Sequence, residues 1–220
     1  MLKIISVVSA LVFFVCLNSD LSAQCTYDPT QHSTGKFDGC PQKGKGGDTS
    51  LNKLKNRDEP PNEYKSYTVD QIISDLPQDF PTTKRATWDE SESEDACVYE
   101  QNGAVVVGYL LNIKREGPEA CNCRDSVHRD YHIWLAAQSS DTRDNSVVIE
   151  ISPRLLDAHP NWNQTAIKKL VKQKSKVRIS GWLMWDEEHD NQVGKTRGTH
   201  WEIHPVQKIE IRSGGKWVEL

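Results

Sequence analysis

The run Gly103 to Lys114, built around Val105-Val106-Val107-Gly108-Tyr109-Leu110-Leu111-Asn112-Ile113, does most to limit the fold. Its β-branched and aromatic residues predict a strand. The glycine in its middle predicts a bend or bulge of the kind found at a barrel corner. Strands of this length cannot bury both faces in a small flat sheet, whereas a closed barrel leaves no open edge.

The segments that follow suit closure. Asp130 to Gln138 predicts a second strand, and Asp141-Thr142-Arg143-Asp144-Asn145 turns it into a third, Ser146 to Ile151. Pro153 opens a different pattern. His159-Pro160-Asn161-Trp162-Asn163 leads into a helix over Gln164 to Lys172, where Ile167, Leu170 and Val171 keep helical spacing. Lys176 to Trp185 is a fourth strand, and Thr199 to Arg212 a fifth, bent or broken at Pro205. Ser213-Gly214-Gly215 turns into a short last strand, Lys216 to Leu220. Three strands, a helix and two strands is the order of an OB-like barrel. The expected fold is therefore mainly β: an OB-like five-stranded barrel (β-β-β-α-β-β) over residues 96–220, with the helix plugging its bottom. A small open β-sandwich is the alternative.

Residues 24–95 read as an irregular, partly helical N-terminal extension. Up to about Lys65 the chain is rich in Gly, Pro, Asn, Asp and Lys, and poor in apolar residues. Asp48 or Thr49 caps a short helix carrying Leu51 and Leu54, and Thr68 starts a second, ended by Pro77 and Pro81. The acidic run Asp89 to Asp95 reads as a solvated connector.

Residues 1–23 read as a secretory signal peptide. A positive start precedes an apolar run from Ile4 to Leu17, and Leu21-Ser22-Ala23 is a cleavage site before Gln24. The chain is then exported, periplasmic or secreted. Lipidation at Cys25 is disfavoured because Gln24 is not small. No later stretch is a transmembrane anchor. A net charge of -4 disfavours nucleic acid as a partner, leaving an unknown ligand or envelope partner. Of six cysteines, Cys16 leaves with the signal. Export permits disulfides among the rest: Cys25 with Cys40, and Cys97 with Cys121 or Cys123, with one thiol left over. The CxC of Cys121 and Cys123 is a weak zinc signal.

Candidate chemistry lies on the alternating strands. In Thr199-His200-Trp201-Glu202-Ile203-His204-Pro205, His200, Glu202 and His204 share one face and Trp201 and Ile203 the other. Asp130, His132 and Trp134 share a face of strand two, and Glu150 takes the same role on strand three. If those strands pair as a hairpin, Asp130, His132 and Glu150 lie on neighbouring rungs. This polar face is a metal or acid–base site, or only the wet outside of a barrel. Residues four apart on a strand are about 13 Å apart, so His200 and His204 cannot share one zinc with nitrogens at about 2.1 Å. One of them can join His132 and Glu150. The acidic loop Trp185 to Gln192 adds Asp186 and His189 as ligand candidates for a divalent metal, though it lacks EF-hand spacing. Trp134, Trp182, Trp185 and Trp201 either form a stacking platform beside Arg178 or Arg197, or pack against the extension. Arg154 and Arg197 complete the binding candidates. No nucleophile elbow, Walker loop, H-E-x-x-H or G-x-G-x-x-G occurs.

The motifs Leu51-Asn52-Lys53-Leu54-Lys55-Asn56-Arg57, Glu119-Ala120-Cys121-Asn122-Cys123, Asp130-Tyr131-His132-Ile133-Trp134-Leu135, Ser152-Pro153-Arg154 and Trp201-Glu202-Ile203-His204-Pro205-Val206 resemble a group of uncharacterised exported bacterial proteins. The resemblance covers most of the exported chain. It implies a shared polar site around D-x-H-x-x-L and I-H-P, and carries no activity with it. Secreted staphylococcal-type nucleases also use an OB barrel, but their arginine and carboxylate constellation is not matched here. The expected function is an exported OB-like binding module. A metal-dependent hydrolase of nuclease or phosphodiesterase type, built on Asp130, His132, Glu150, Asp186, His189 and His204, is one alternative. A structural envelope protein is another.

Overall fold

The computed structural model describes residues 25–26 and 28–220; the expected signal peptide and its cleavage site lie outside them. The protein is mainly β and closes into a five-stranded barrel. Its strands are β2 (Gly103–Arg115), β3 (Tyr131–Ala136), β4 (Ser146–Ile151), β5 (Lys176–Trp185) and β6 (Trp201–Ser213). They run in the order β2-β3-β4-β6-β5, and β5 pairs back onto β2. β2 does this by turning a corner: Gly103 to Tyr109 pair with β5, and Tyr109 to Arg115 pair with β3. Its register slips between Leu110 and Asn112. A Cβ on Gly108 would lie 2.5 Å from the Ala136 carbonyl oxygen, so only glycine lets β3 approach at that corner.

Alternation fills the barrel. Val106, Leu110, Ile133, Leu135, Val147, Ile149, Ile151, Val177, Ile179, Leu183, Ile203 and Ile209 all join one buried cluster. Between β4 and β5 come a short helix, α4 (Pro153–Leu156), and α5 (Gln164–Lys172). α5 is capped by Asn163 and contributes Ile167 and Leu170 to the core. β6 is not broken at Pro205. It runs through, with a cis His204–Pro205 bond and a register shift against Gly181 on β5. The bulge absorbs a residue that has no N–H to give the ladder. A Cβ on Gly181 would lie 2.5 Å from the Pro205 carbonyl oxygen, which fixes glycine there.

The extension is more ordered than its composition suggests. α1 (Thr49–Lys55) is capped by Asp48, and α2 (Val69–Ser74) carries a capping box of Thr68 and Gln71. Between them, β1 (Tyr64–Tyr67) adds a short parallel strand to β2. At the other end, β7 (Lys216–Glu219) pairs with β6. The acidic run 89–95 is not a connector. It opens α3 (Glu90–Glu100), where Asp89 and Glu92 form a capping box; carboxylates at a helix N-terminus are stabilised by its dipole.

Disulfide pairing also departs from expectation. Cys25 is bonded to Cys97 and Cys40 to Cys123, with Cα–Cα distances of 5.5 and 5.7 Å. Cys25 does not close onto Cys40 because the extension wraps across the barrel. Thr26 hydrogen-bonds Gln101 just after α3, and the Lys45 amide donates to the Ala120 carbonyl. Cys121 is the buried free thiol.

The tryptophans form no exposed platform. Trp182, Trp185 and Trp201 are buried, and their indole N–H groups donate to the carbonyls of Glu59, Pro81 and Pro77. Each of these three carbonyls belongs to the extension. Arg57 seals the contact. Fully buried, it donates to the carbonyls of Leu54, Glu100, Leu183 and His204 and lies 4.3 Å over the Trp182 ring. Arg57→Met strands these acceptors and is expected to lower unfolding free energy by about 3 kcal/mol or more, measured by urea denaturation. Non-reducing peptide mapping is expected to return Cys25–Cys97 and Cys40–Cys123, with Cys121 alkylated only after unfolding.

Candidate functional site

Register builds the site. His132 on β3 pairs directly with Glu150 on β4. β4 runs parallel to β6, with Val148 opposite Glu202 and Ile149 opposite Ile203, so Glu150 sits beside His204. The alternation that sends Ile133, Ile149 and Ile203 inward puts His132, Glu150, Glu202 and His204 on the outer face. That face is not wet. His132, Glu150, Glu202 and His204 are all buried, beneath the extension and the loop 117–129.

The contacts form one chain of charge. Glu150 Oε1 lies 2.8 Å from His132 Nδ1, and Glu150 Oε2 lies 3.3 Å from His204 Nδ1. His204 Nδ1 is also 3.3 Å from Glu202 Oε2, and His132 Nδ1 is 3.4 Å from Glu116 Oε1. Glu150 Oε2 is within ion-pair reach of His204 but off a hydrogen-bonding direction. It has no hydrogen-bond partner, and neither do Nε2 of His132 and Nε2 of His204. Such orphaned groups are uncommon in a protein interior.

Asp130, just before β3, completes the centre. Donor atoms of Asp130, Glu150 and His204 lie within 4.8 Å of one another. The Asn122 amide donates to Asp130 Oδ2 at 2.6 Å, and the Cys121 sulfur is 3.8 Å from the same oxygen. Farther out, Lys55 Nζ lies 3.5 Å from Glu119 and 3.2 Å from Glu188.

Burial opposes the charge on Glu150, His204 and Asp130, and the neighbours decide the outcome. For Glu150, burial is outweighed by His204 and His132, and its carboxyl is held well below the usual range. For His204, burial is outweighed by Glu150, Glu202 and Asp130, so its pKa rises. Burial pushes Asp130 well up, and the carboxylates of Glu119 and Glu150 push it further. Cys121 rises for the same reason: burial first, then the Asp130 carboxyl, with Glu119 and Glu150 adding to it.

Asp186, His189 and Glu202 form an adjoining group, but a guanidinium already fills it. Arg197, fully buried, donates to Asp186 Oδ2 at 2.7 Å and to Glu202 Oε1. Asp186 and His189 are therefore placed around an arginine, apart from Glu150. His200 is farther still, between the Asp186 carbonyl, Asp190 and the Trp185 ring. Trp134 is buried and lies under Arg143. Arg154 is buried against Asn56, Asp58 and the carbonyls of Gly35 and Cys40, where it ties down the extension.

Lys55, Glu116, Glu119 and Asn122 are not among the sequence candidates, and Cys121 enters only through the weak CxC signal. Cys121 had a trace: it belongs to the odd set of cysteines left after the signal. Lys55 had another, since Leu51, Asn52, Leu54 and Lys55 follow the spacing of one helix face, all of it buried. Comparison with family models, curated proteins and solved structures finds no match to this chain, so the site is read from its own geometry.

His189 responds to pH in a defined direction. Its hydrogen bond to Asp186 lifts it to about 9 against burial, with Glu202 assisting and Arg197 opposing. Unfolded, it titrates near 6.5. A raised histidine contributes stability below its unfolded pKa and loses it as pH climbs through the folded value. Glu187, lifted by burial to about 7, acts in the same sense at lower pH. The urea midpoint is expected to fall between pH 7 and 9, and His189→Gln to flatten part of that fall.

Proposed function

We propose that the protein is an exported binding module whose ligand is a divalent transition-metal ion, held by Asp130, Glu150 and His204. One observation carries this reading: three donors converge within 4.8 Å, while buried Glu150 Oε2 and His204 Nε2 have no hydrogen-bond partner. Nitrogen beside carboxylate oxygen suits zinc and its neighbours, whereas calcium and magnesium prefer all-oxygen shells. His132 supports the centre by fixing Glu150 from behind, as outer partners commonly orient metal ligands. Asp186 and His189 are left out of the ligand set because Arg197 already neutralises that group. Two disulfides suit an oxidising compartment. Among the described residues, no helix is long and apolar enough to cross a membrane.

The test uses chelator-stripped full-length protein. At a hundredfold excess over Kd, a bound ion stabilises by about 2.7 kcal/mol, or roughly 5–10 °C in Tm for a chain of this size. Zinc is expected to give such a shift and calcium none, and Glu150→Gln is expected to abolish the zinc shift. Absence of stoichiometric ion by calorimetry and elemental analysis overturns the reading.

A further inference from the structure

Asp130 belongs to two groups of donors. Besides the triad with Glu150 and His204, the ligand atoms of Glu119, Cys121 and Asp130 lie within 4.8 Å of one another. The Cys121 thiol is 3.5 Å from Glu119 Oε2 and 3.8 Å from Asp130 Oδ2. It is the free cysteine among the described residues, and its main chain is held on both sides. The Lys45 amide donates to the Ala120 carbonyl at 2.8 Å. The Asn56 side-chain amide donates to the Cys121 carbonyl at 2.8 Å, and the disulfide of Cys123 with Cys40 follows. Gly44, at φ +64°, is packed so closely that a Cβ would lie 2.2 Å from the Ala120 oxygen. This is a fixed loop presenting sulfur to two carboxylates.

Two further features bear on a ligand there. A cavity of about 300 Å³ is lined by Lys55, Glu119, Cys121, Glu188 and His189, giving space against the second triad. On the far side of Asp130, Glu150 Oε2 is buried without a hydrogen-bond partner.

We propose that the centre takes two divalent ions bridged by the Asp130 carboxylate: one on Glu150 and His204, the other on Cys121 and Glu119. This rests on the metal reading of the first triad. A shared carboxylate matches the separation of about 3.5–4 Å in two-metal centres. The thiolate narrows the ions to zinc, cobalt and cadmium, because magnesium and calcium avoid sulfur. Binding is a proton exchange with no change of oxidation state. The S–H bond of Cys121 breaks as sulfur binds metal, and the proton leaves to solvent. Asn122, donating to Asp130 Oδ2 at 2.6 Å, orients the bridge. Lys55 keeps Glu188, 3.2 Å away, when Glu119 turns to the ion.

Cobalt(II) added to chelator-stripped full-length protein tests this, because thiolate–cobalt coordination gives a near-ultraviolet charge-transfer band. The expected result is two ions per chain by elemental analysis, with the band. Cys121→Ser, checked for folding by circular dichroism, is expected to bind one ion without the band. One ion in the native protein, with or without the band, overturns the bridged pair and leaves metal binding standing. Two ions in Cys121→Ser removes sulfur from the second position and also overturns it. No ion in either protein overturns this proposal and the first reading together.

Discussion

Glu150 held between two histidines is the contact on which the architecture turns. A carboxylate taken out of water costs several kcal/mol unless partners replace the lost hydration. Here His132 and His204 supply them from the strands on either side of β4. Register sets that arrangement: a slip of one residue in β3 or β6 would turn a histidine into the barrel and an isoleucine onto the polar face. The buried charge thus reports the same alignment that closes the core.

Closing over that charge is the work of the extension. α1 brings Leu51 and Leu54 against Met184 and carries buried Lys55 to Glu119 and Glu188. Arg57, two residues on, ties α1, α3, β5 and β6 together through main-chain carbonyls, including that of His204. Arg154 binds the extension from the other side. The two disulfides cross from extension to barrel at sequence separations of 72 and 83, and closures of that length are the most restrictive on an unfolded chain. Two arginines, two disulfides and three tryptophan N–H groups do here what a larger apolar interface does elsewhere.

The polar network has two halves with different chemistry. Around Asp186 and Glu202, Arg197 supplies the positive charge from within the protein, through two of its three guanidinium nitrogens. Around Asp130, Glu150 and His204 no guanidinium enters: Glu150 meets two histidines, Asp130 meets the neutral Asn122 amide, the lysine is farther out, and Glu150 Oε2 and His204 Nε2 remain orphaned. That contrast separates a structural ion-pair cluster from a ligand centre, although both are made of the same residue types.

Much of the barrel was legible because its causes are local. Period-two alternation located β4 and β5 to the residue, and the helical spacing of Ile167, Leu170 and Val171 located α5. The same alternation placed His132, Glu150 and His204 on one face. Where the reading failed, a local signal was ambiguous. The acidic run at 89–95 looks solvated until Asp89 and Glu92 cap a helix, and Pro205 looks like a break until β6 bulges there and carries on along β5. The cysteine pairing, the dry cover over the polar face, and the division of carboxylates between Arg197 and the histidines depend on where the extension crosses the barrel. The sequence by itself determined which residues face inward and outward, because a strand's geometry forces alternation. Only the tertiary structure decided that the outward set is buried and brought together, because that requires chain segments dozens of residues apart to meet.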